Sequence, residues 1–190
     1  MSHSMVLTET TFRTAKARSI AALLSVIAAV ALPQLFHVLG AVTGLGAALG
    51  QTFLPMHLPI LLVGMLAGPV AGLAAGLASP VMSFALSGMP AAALLPFMVV
   101  ELGGYGLAAG LMMRTRTHVF VKLVLAQLAG RALRAAAVLL AFYGLGVQTA
   151  SVASIWTGVV QGLPGLLLQW CLVPLLMYWA AGRRAEHAGY

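Results

Sequence analysis

Residues 91–113 read AAALLPFMVVELGGYGLAAGLMM, and Arg114-Thr115-Arg116 follows them directly. The run is 23 residues long and carries one charged residue, Glu101. A helix needs about 20 consecutive apolar residues to cross a hydrocarbon core about 30 Å thick, so this run predicts a transmembrane helix. The basic residues after it are typical of the flank of a membrane span.

The composition of the chain extends this prediction beyond one helix. Hydrophobic residues make up 62% of the 190 residues and charged residues 7%, against about 25% charged residues in an ordinary soluble domain. A soluble fold of this length needs a charged surface, so most of this surface is expected to face lipid. We therefore predict an all-α integral membrane protein and exclude the soluble and secreted classes.

Five further apolar runs complete a predicted bundle of six transmembrane helices. The second and third helices are expected to be short, because glycine and proline interrupt the chain at Gly68-Pro69 and again at residues 87–90. Short interrupted spans usually line a cavity, since their free backbone groups need partners. The predicted helices are residues 16–39, 56–67, 70–86, 91–113, 118–143 and 152–181. They form a single domain, residues 13–184. A flexible tail, residues 1–12, is predicted before it and a cytoplasmic C-terminal tail, residues 185–190, after it.

The basic residues indicate how the bundle lies in the membrane. Seven of the ten lie at the start of the first predicted helix, directly after the fourth and after the sixth, and the other three lie within the fifth. The opposite loops, residues 40–52, 87–90 and 144–151, contain no Lys or Arg. By the positive-inside rule, both termini are expected in the cytoplasm. The net charge of +7 therefore indicates topology rather than nucleic-acid binding, because each basic group flanks an apolar run.

Glu101 is the strongest candidate for a functional residue, because it is the only acidic residue between Glu9 and Glu186 and lies within a predicted span. A charge inside a span costs about 2.5–3.5 kcal/mol on insertion scales and indicates a functional site. Arg131 and Arg134 share a helix face and lie at a similar depth, so they are its candidate partners. Two cations against one acid leave a positive charge that suits an anionic ligand. The alternatives are a purely structural ion pair and an arginine that extends to the membrane interface.

Other polar and aromatic residues are candidates for the same site. Two prolines in the stretch 51–59 leave backbone carbonyls free around His57, so His57 and Gln51 are expected either to bind a ligand or to form interfacial hydrogen bonds. Trp156 is expected either in an interfacial aromatic belt or as a lid over a ligand. Gln161 is polar within an apolar span and is expected to face inward.

A stripe of small residues follows the first predicted helix. Ala17, Ala21 and Ser25 recur every four residues, a spacing that permits another helix to approach closely. The stripe is expected either to pack inside the bundle or to dock on another membrane subunit.

The sequence lacks the motifs of several enzyme classes. It contains no Gly-Lys-Ser/Thr loop, no His-Glu-x-x-His and no Gly-x-Ser-x-Gly. We therefore expect no catalytic activity, no metal site and no cofactor in this chain. Any uphill transport must draw its energy from another subunit or from an ion gradient.

Three motifs suggest a family: Pro55-Met56-His57-Leu58-Pro59, then Gly68-Pro69-x-x-Gly72-Leu73-x-x-Gly76, and Glu101-x-x-x-Tyr105-Gly106-Leu107-x-x-Gly110. With these motifs and its six helices, nearly the whole chain resembles the substrate-binding S components of energy-coupling-factor (ECF) vitamin transporters. The resemblance implies capture of one water-soluble vitamin, or a related small molecule, at the outer face of a bacterial or archaeal cytoplasmic membrane.

The resemblance also implies partners and roles. The binding site would include Glu101 and Tyr105, with the arginines of the fifth helix and His57 as neighbours. Ala17 and Ala21 would dock on a transmembrane coupling subunit, and two ATPase subunits would hydrolyse the ATP that powers import. The spare arginine charge favours an anionic vitamin such as pantothenate. There are two competing hypotheses. One is an autonomous small-solute transporter or channel that uses the glycine stripe, Gly68, Gly72 and Gly76, as its helix interface. The other is a structural subunit without a ligand.

Overall fold

The computed structural model describes residues 12, 14–46, 48–147 and 151–188, with the backbone alone from residue 183 onward. In these ranges the chain forms helices and no strand, and six spans are long and apolar enough to cross a membrane. The predicted all-α membrane bundle is thereby confirmed. The helices are α1 (Ala15–Thr43), α2 (Ala48–Phe53), α3 (His57–Ala67), α4 (Pro69–Ser87), α5 (Leu95–Met112), α6 (Val119–Leu139), α7 (Ala153–Gln161) and α8 (Leu163–Ala188), and a π-helical turn, Leu140–Gly144, extends α6.

Two predicted segments differ from the observed helices. The outer loop predicted at residues 40–52 contains the end of α1 and most of α2, which forms the second span together with α3. The helix predicted at residues 152–181 is two helices, because α7 ends before Gly162 and α8 begins at Leu163. Pro164 has no backbone N–H, so it is well suited to the first turn of α8 and not to the middle of a longer helix.

The predicted tails also have different limits. The backbone N–H of Phe12 donates a hydrogen bond to the carbonyl of Leu66 over 3.0 Å, so Phe12 is held against α3, while residues 1–11 lie outside the described part of the chain. At the other end, α8 continues to Ala188, and residues 185–188 of the predicted C-terminal tail are helical.

Glycine brings α3, α4 and α5 into backbone contact. A Cβ atom added at Gly72 would overlap the carbonyl oxygen of Gly106, and one at Gly76 would overlap that of Leu102. Gly64 of α3 faces the same Gly106 carbonyl. Such close approach is what small residues permit in membrane bundles. The glycine stripe is therefore an internal contact, and in this fold it cannot serve as the oligomer interface of an autonomous transporter.

The small-residue stripe on α1 also faces the interior. The Oγ of Ser25 donates a hydrogen bond to the carbonyl of Pro59 over 3.0 Å, and Ser25 is only 7% exposed. Ala21 packs against the buried cluster that includes Val63 and Ala67, and Ala17 is half-buried. Internal packing thus accounts for Ala21 and Ser25, and docking of a coupling subunit through this stripe stays a prediction.

Candidate functional site

A cavity of about 340 Å³ lies at one end of the bundle. Its wall combines the C-terminal halves of α1, α4 and α6 with the start of α3 and the segment before α5. Helices α2 and α7 and Met98 of α5 complete it. The basic residues Lys16, Arg18, Arg114 and Arg116 lie at the other end of the same helices. The volume falls near the lower limit of the range of about 300–1,000 Å³ that is usual for small-molecule sites.

Glu101 forms the centre of a buried charged cluster beside this cavity. The Nη1 of Arg134 donates a hydrogen bond to Oε2 of Glu101 over 2.8 Å, and the Nε of Arg131 lies 3.4 Å from Oε1. Because the two arginines are three residues apart on α6, they share one face and reach the same carboxylate. Glu101 is 0% exposed. Both arginines were predicted as candidate partners of Glu101, and the structure brings both to it.

Tyr105 and His57 join this cluster. The hydroxyl of Tyr105 donates to Oε1 of Glu101 over 3.2 Å, one helical turn along α5. The His57 ring packs edge-on against the Tyr105 ring at a centroid distance of 5.1 Å, and its Nε2 lies 3.8 Å from Oε1 of Glu101. Gly130 of α6 leaves room for Tyr105, since a Cβ atom there would lie 2.7 Å from the ring.

The members of the cluster divide into two layers. Among the described residues, Arg131, Arg134 and His57 belong to the cavity wall, whereas Glu101 and Tyr105 lie behind them. The carboxylate therefore orients the guanidinium groups and does not itself face the cavity in this conformation. Two guanidinium groups against one carboxylate leave one net positive charge at the cavity wall.

Several buried nitrogen atoms of the wall have no hydrogen-bond partner among the described residues. They are Nδ1 and Nε2 of His57, Nε and Nη2 of Arg131 and Nε of Arg134. Buried polar atoms in proteins are nearly always hydrogen-bonded. Arginine nitrogens only donate, so a molecule that satisfies them must present acceptor atoms.

The remaining predicted residues lie farther from the cluster. Gln51 of α2 and Gln161 of α7 line the cavity and are exposed, which places them at its mouth. Trp156 is 71% exposed and does not belong to the described cavity wall. This exposed position agrees better with the predicted aromatic belt at the membrane interface than with a lid over a ligand.

The sequence reasoning missed the contribution of α7. The carbonyl of Gly158 accepts a hydrogen bond from Nη1 of Arg131 over 3.2 Å, and Ser154 and Thr157 also line the cavity. The sequence did carry a signal, because Ser154, Thr157 and Gln161 follow helical spacing on one face. This spacing was overlooked because residues 152–181 were predicted as one long helix.

A chain of side-chain hydrogen bonds reaches the cavity residue Leu54 from α6 and α8. Trp170 Nε1 donates to Gln127 Oε1 over 2.7 Å, and Gln127 Nε2 donates to Gln169 Oε1 over 2.9 Å. Gln169 Nε2 in turn donates to the carbonyl of Leu54 over 3.4 Å. Leu54 has a φ of 49°, a left-handed conformation that needs support in a residue other than glycine. The amides thus help to hold the break between α2 and α3, where the cavity residue His57 begins α3.

Comparison with known proteins identifies a family for this arrangement. The family model of the ECF transporter substrate-specific component matches residues 19–177, a range that includes the whole charged cluster and the cavity wall. A search of curated proteins and a search of solved structures each gave no significant match. Substrate-specific components are solute-binding subunits of transporters and associate with coupling and ATPase subunits. The chain therefore belongs to the family of ECF transporter substrate-specific components.

Proposed function

We propose that this chain captures a small anionic solute from outside the cell and presents it to an ECF transporter for import. The observation that carries the proposal is the pair of guanidinium groups in the cavity wall, which share one buried carboxylate and leave one positive charge. Charge-assisted hydrogen bonds from arginine to a carboxylate or phosphate are shorter and stronger than neutral ones.

The rest of the cavity suits a solute with one acidic group and a body that carries both apolar and neutral polar groups, because Ser83, Ser154 and Thr157 also line it. Leu54, Met56, Leu94 and Met98 contribute apolar wall, and the cationic groups are confined to one side. A doubly charged anion would bring more negative charge than the cluster offsets, and a cation would be repelled. Pantothenate, a water-soluble vitamin with one carboxylate, is the solute that we propose as the first candidate.

The orientation in the membrane follows from the two ends of the bundle. The cavity lies at the end opposite Lys16, Arg18, Arg114 and Arg116. Basic residues mark the cytoplasmic side of membrane proteins, so we propose that the cavity opens to the exterior and that both termini are cytoplasmic. A bacterial or archaeal cytoplasmic membrane is the membrane in which we place the chain.

Import then depends on partner subunits. The sequence contains no phosphate-binding Gly-Lys-Ser/Thr loop, and we propose that two ATPase subunits supply the energy and one transmembrane coupling subunit transmits it. Ala17 and Ala21 of the α1 stripe are only half-buried, so both keep some surface for docking, whereas Ser25 is buried.

Replacing Arg134 by alanine tests the proposed anion site. We expect the dissociation constant for pantothenate to rise by about 10- to 150-fold, because one charge-assisted hydrogen bond contributes roughly 1.5–3 kcal/mol. Isothermal titration calorimetry of the purified protein in detergent measures the change. Arg131→Ala should act in the same direction.

Arg114→Ala is the matched control, since Arg114 is exposed at the opposite end of the bundle and its removal should leave binding unchanged. A panel of vitamins in the same assay extends the test to biotin and nicotinate as anions and thiamine as a cation. The proposal fails if thiamine binds more tightly than every anion, or if neither arginine substitution weakens binding of the anion that does bind.

A further inference from the structure

His57 occupies a special position in the cavity wall. It begins α3 directly after the break at residues 54–56, and Pro55 and Pro59 on either side of it are buried. The residue is only 5% exposed, yet it lines the cavity. Tyr105 supports the ring from behind at a centroid distance of 5.1 Å.

Neither ring nitrogen of His57 has a hydrogen-bond partner among the described residues. Oε1 of Glu101 lies 3.8 Å from Nε2, which is too far for a hydrogen bond. The hydroxyl of Tyr105 already donates to that same oxygen. A neutral imidazole carries one donor and one acceptor, so this ring can offer either to a solute in the cavity.

The imidazole and the arginines lie close enough to bind one small molecule together. Nε2 of His57 and Nε of Arg131 lie 3.8 Å and 3.4 Å from the same oxygen of Glu101. Because His57 and both arginines also line the same cavity, a solute whose acidic group binds the guanidinium groups can bring its next few atoms within reach of the His57 ring. An apolar group at that position would leave the buried ring nitrogens without partners, which is unfavourable.

We propose that His57 forms a hydrogen bond with an uncharged hydroxyl or amide group that the solute carries a few bonds from its acidic group. This inference rests on the proposed function and narrows the solute to small hydroxy or amido carboxylates. Plain aliphatic carboxylates of the same length would satisfy the arginines alone. The imidazole is then a specificity-determining group, while the arginines provide most of the affinity.

The test compares two probes, pantothenate and heptanoate, on the full chain in detergent. His57→Phe keeps an aromatic ring against Tyr105 but removes both nitrogens. We expect it to raise the dissociation constant for pantothenate about three- to tenfold, because one neutral hydrogen bond is lost, and to leave that for heptanoate unchanged or lower. His57→Asn should restore part of the preference for pantothenate.

Arg134→Ala distinguishes this inference from the proposed function, because it should weaken the binding of both probes. If His57→Phe weakens both probes equally, or if the wild-type protein binds heptanoate as tightly as pantothenate, the role of His57 is overturned and the anion site stands. If Arg134→Ala weakens binding of neither probe, the proposed function fails as well. If the wild-type protein binds neither probe, pantothenate is the wrong solute and the role of His57 is overturned, whereas the anion site is decided by the vitamin panel. If His57→Phe does not fold, the role of His57 is tested by two other measurements. These are the ratio of the two dissociation constants in the wild-type protein and the same ratio in His57→Asn.

Discussion

Replacement of Glu101 by alanine is expected to lower the free energy of unfolding by about 3–5 kcal/mol, because two buried guanidinium groups lose the carboxylate that they share. Arg134 and Arg131 lie 2.8 Å and 3.4 Å from its oxygens, and the hydroxyl of Tyr105 also donates to it. The change would leave two positive charges side by side in a wall that is largely removed from water. Denaturant unfolding in detergent micelles, followed by circular dichroism, measures the loss.

Two companion variants identify the cause of this loss. Glu101→Gln keeps the shape and one acceptor oxygen, so it removes mainly the charge and should be intermediate. Combining Glu101→Gln with Arg134→Gln removes one acid and one base, and it should be less destabilising than the sum of the single changes because the two residues interact directly. Equal stability of Glu101→Ala and the wild-type protein would contradict a charge-balancing role.

The second large effect is expected from Gly72→Ala. The added Cβ atom would overlap the backbone carbonyl of Gly106, and the backbone of Gly64 lies next to the same position. No rotamer change can relieve an overlap with backbone, so α4 and α5 must move apart. Overpacking a tightly packed core costs about 1–3 kcal/mol and occasionally more, and we expect this variant at or above the upper end. Thermal unfolding and size-exclusion profiles of the purified variant provide the measurement.

Gly182→Ala is the matched control for this substitution. A Cβ atom at Gly182 meets no described atom within 4 Å, and the residue lies in the last helix far from the glycine crossing. We expect a change within about 0.5 kcal/mol, as for other surface substitutions. If both alanine variants unfold alike, close contact of α4 with α5 does not stabilise the bundle as the structure indicates.

Much of the fold could be predicted from the sequence because the membrane restricts which structures can cross it. A bilayer demands long apolar helices, so hydropathy alone located six spans. Helix α7 is too short to cross the bilayer and is under no such demand, so it was not predicted as a separate element. Helix α2 begins the second span, but the glycines at positions 40, 44, 46 and 50 led to its prediction as part of a loop. Pro164 was a local signal, but proline also occurs within transmembrane helices, so its position alone could not show whether a helix ends there.

The charged cluster was predictable because helical rise converts sequence position into depth. Glu101 and Arg134 were expected at similar depths, and the structure places them 2.8 Å apart. Which of the two faces the cavity depends on side-chain direction and on how α5 packs against α6, and neither can be read from periodicity. The same limit applies to the stripe at Ala21 and Ser25, since small residues permit close approach both inside a bundle and between subunits.

The most direct test of the anion site is mass spectrometry of the small molecules that remain bound when the protein is purified from its native membrane. We predict one retained solute with a single carboxylate group, present in the wild-type protein and lost from Arg134→Ala. A cationic or uncharged solute that the wild-type protein and Arg134→Ala retain equally would contradict the account.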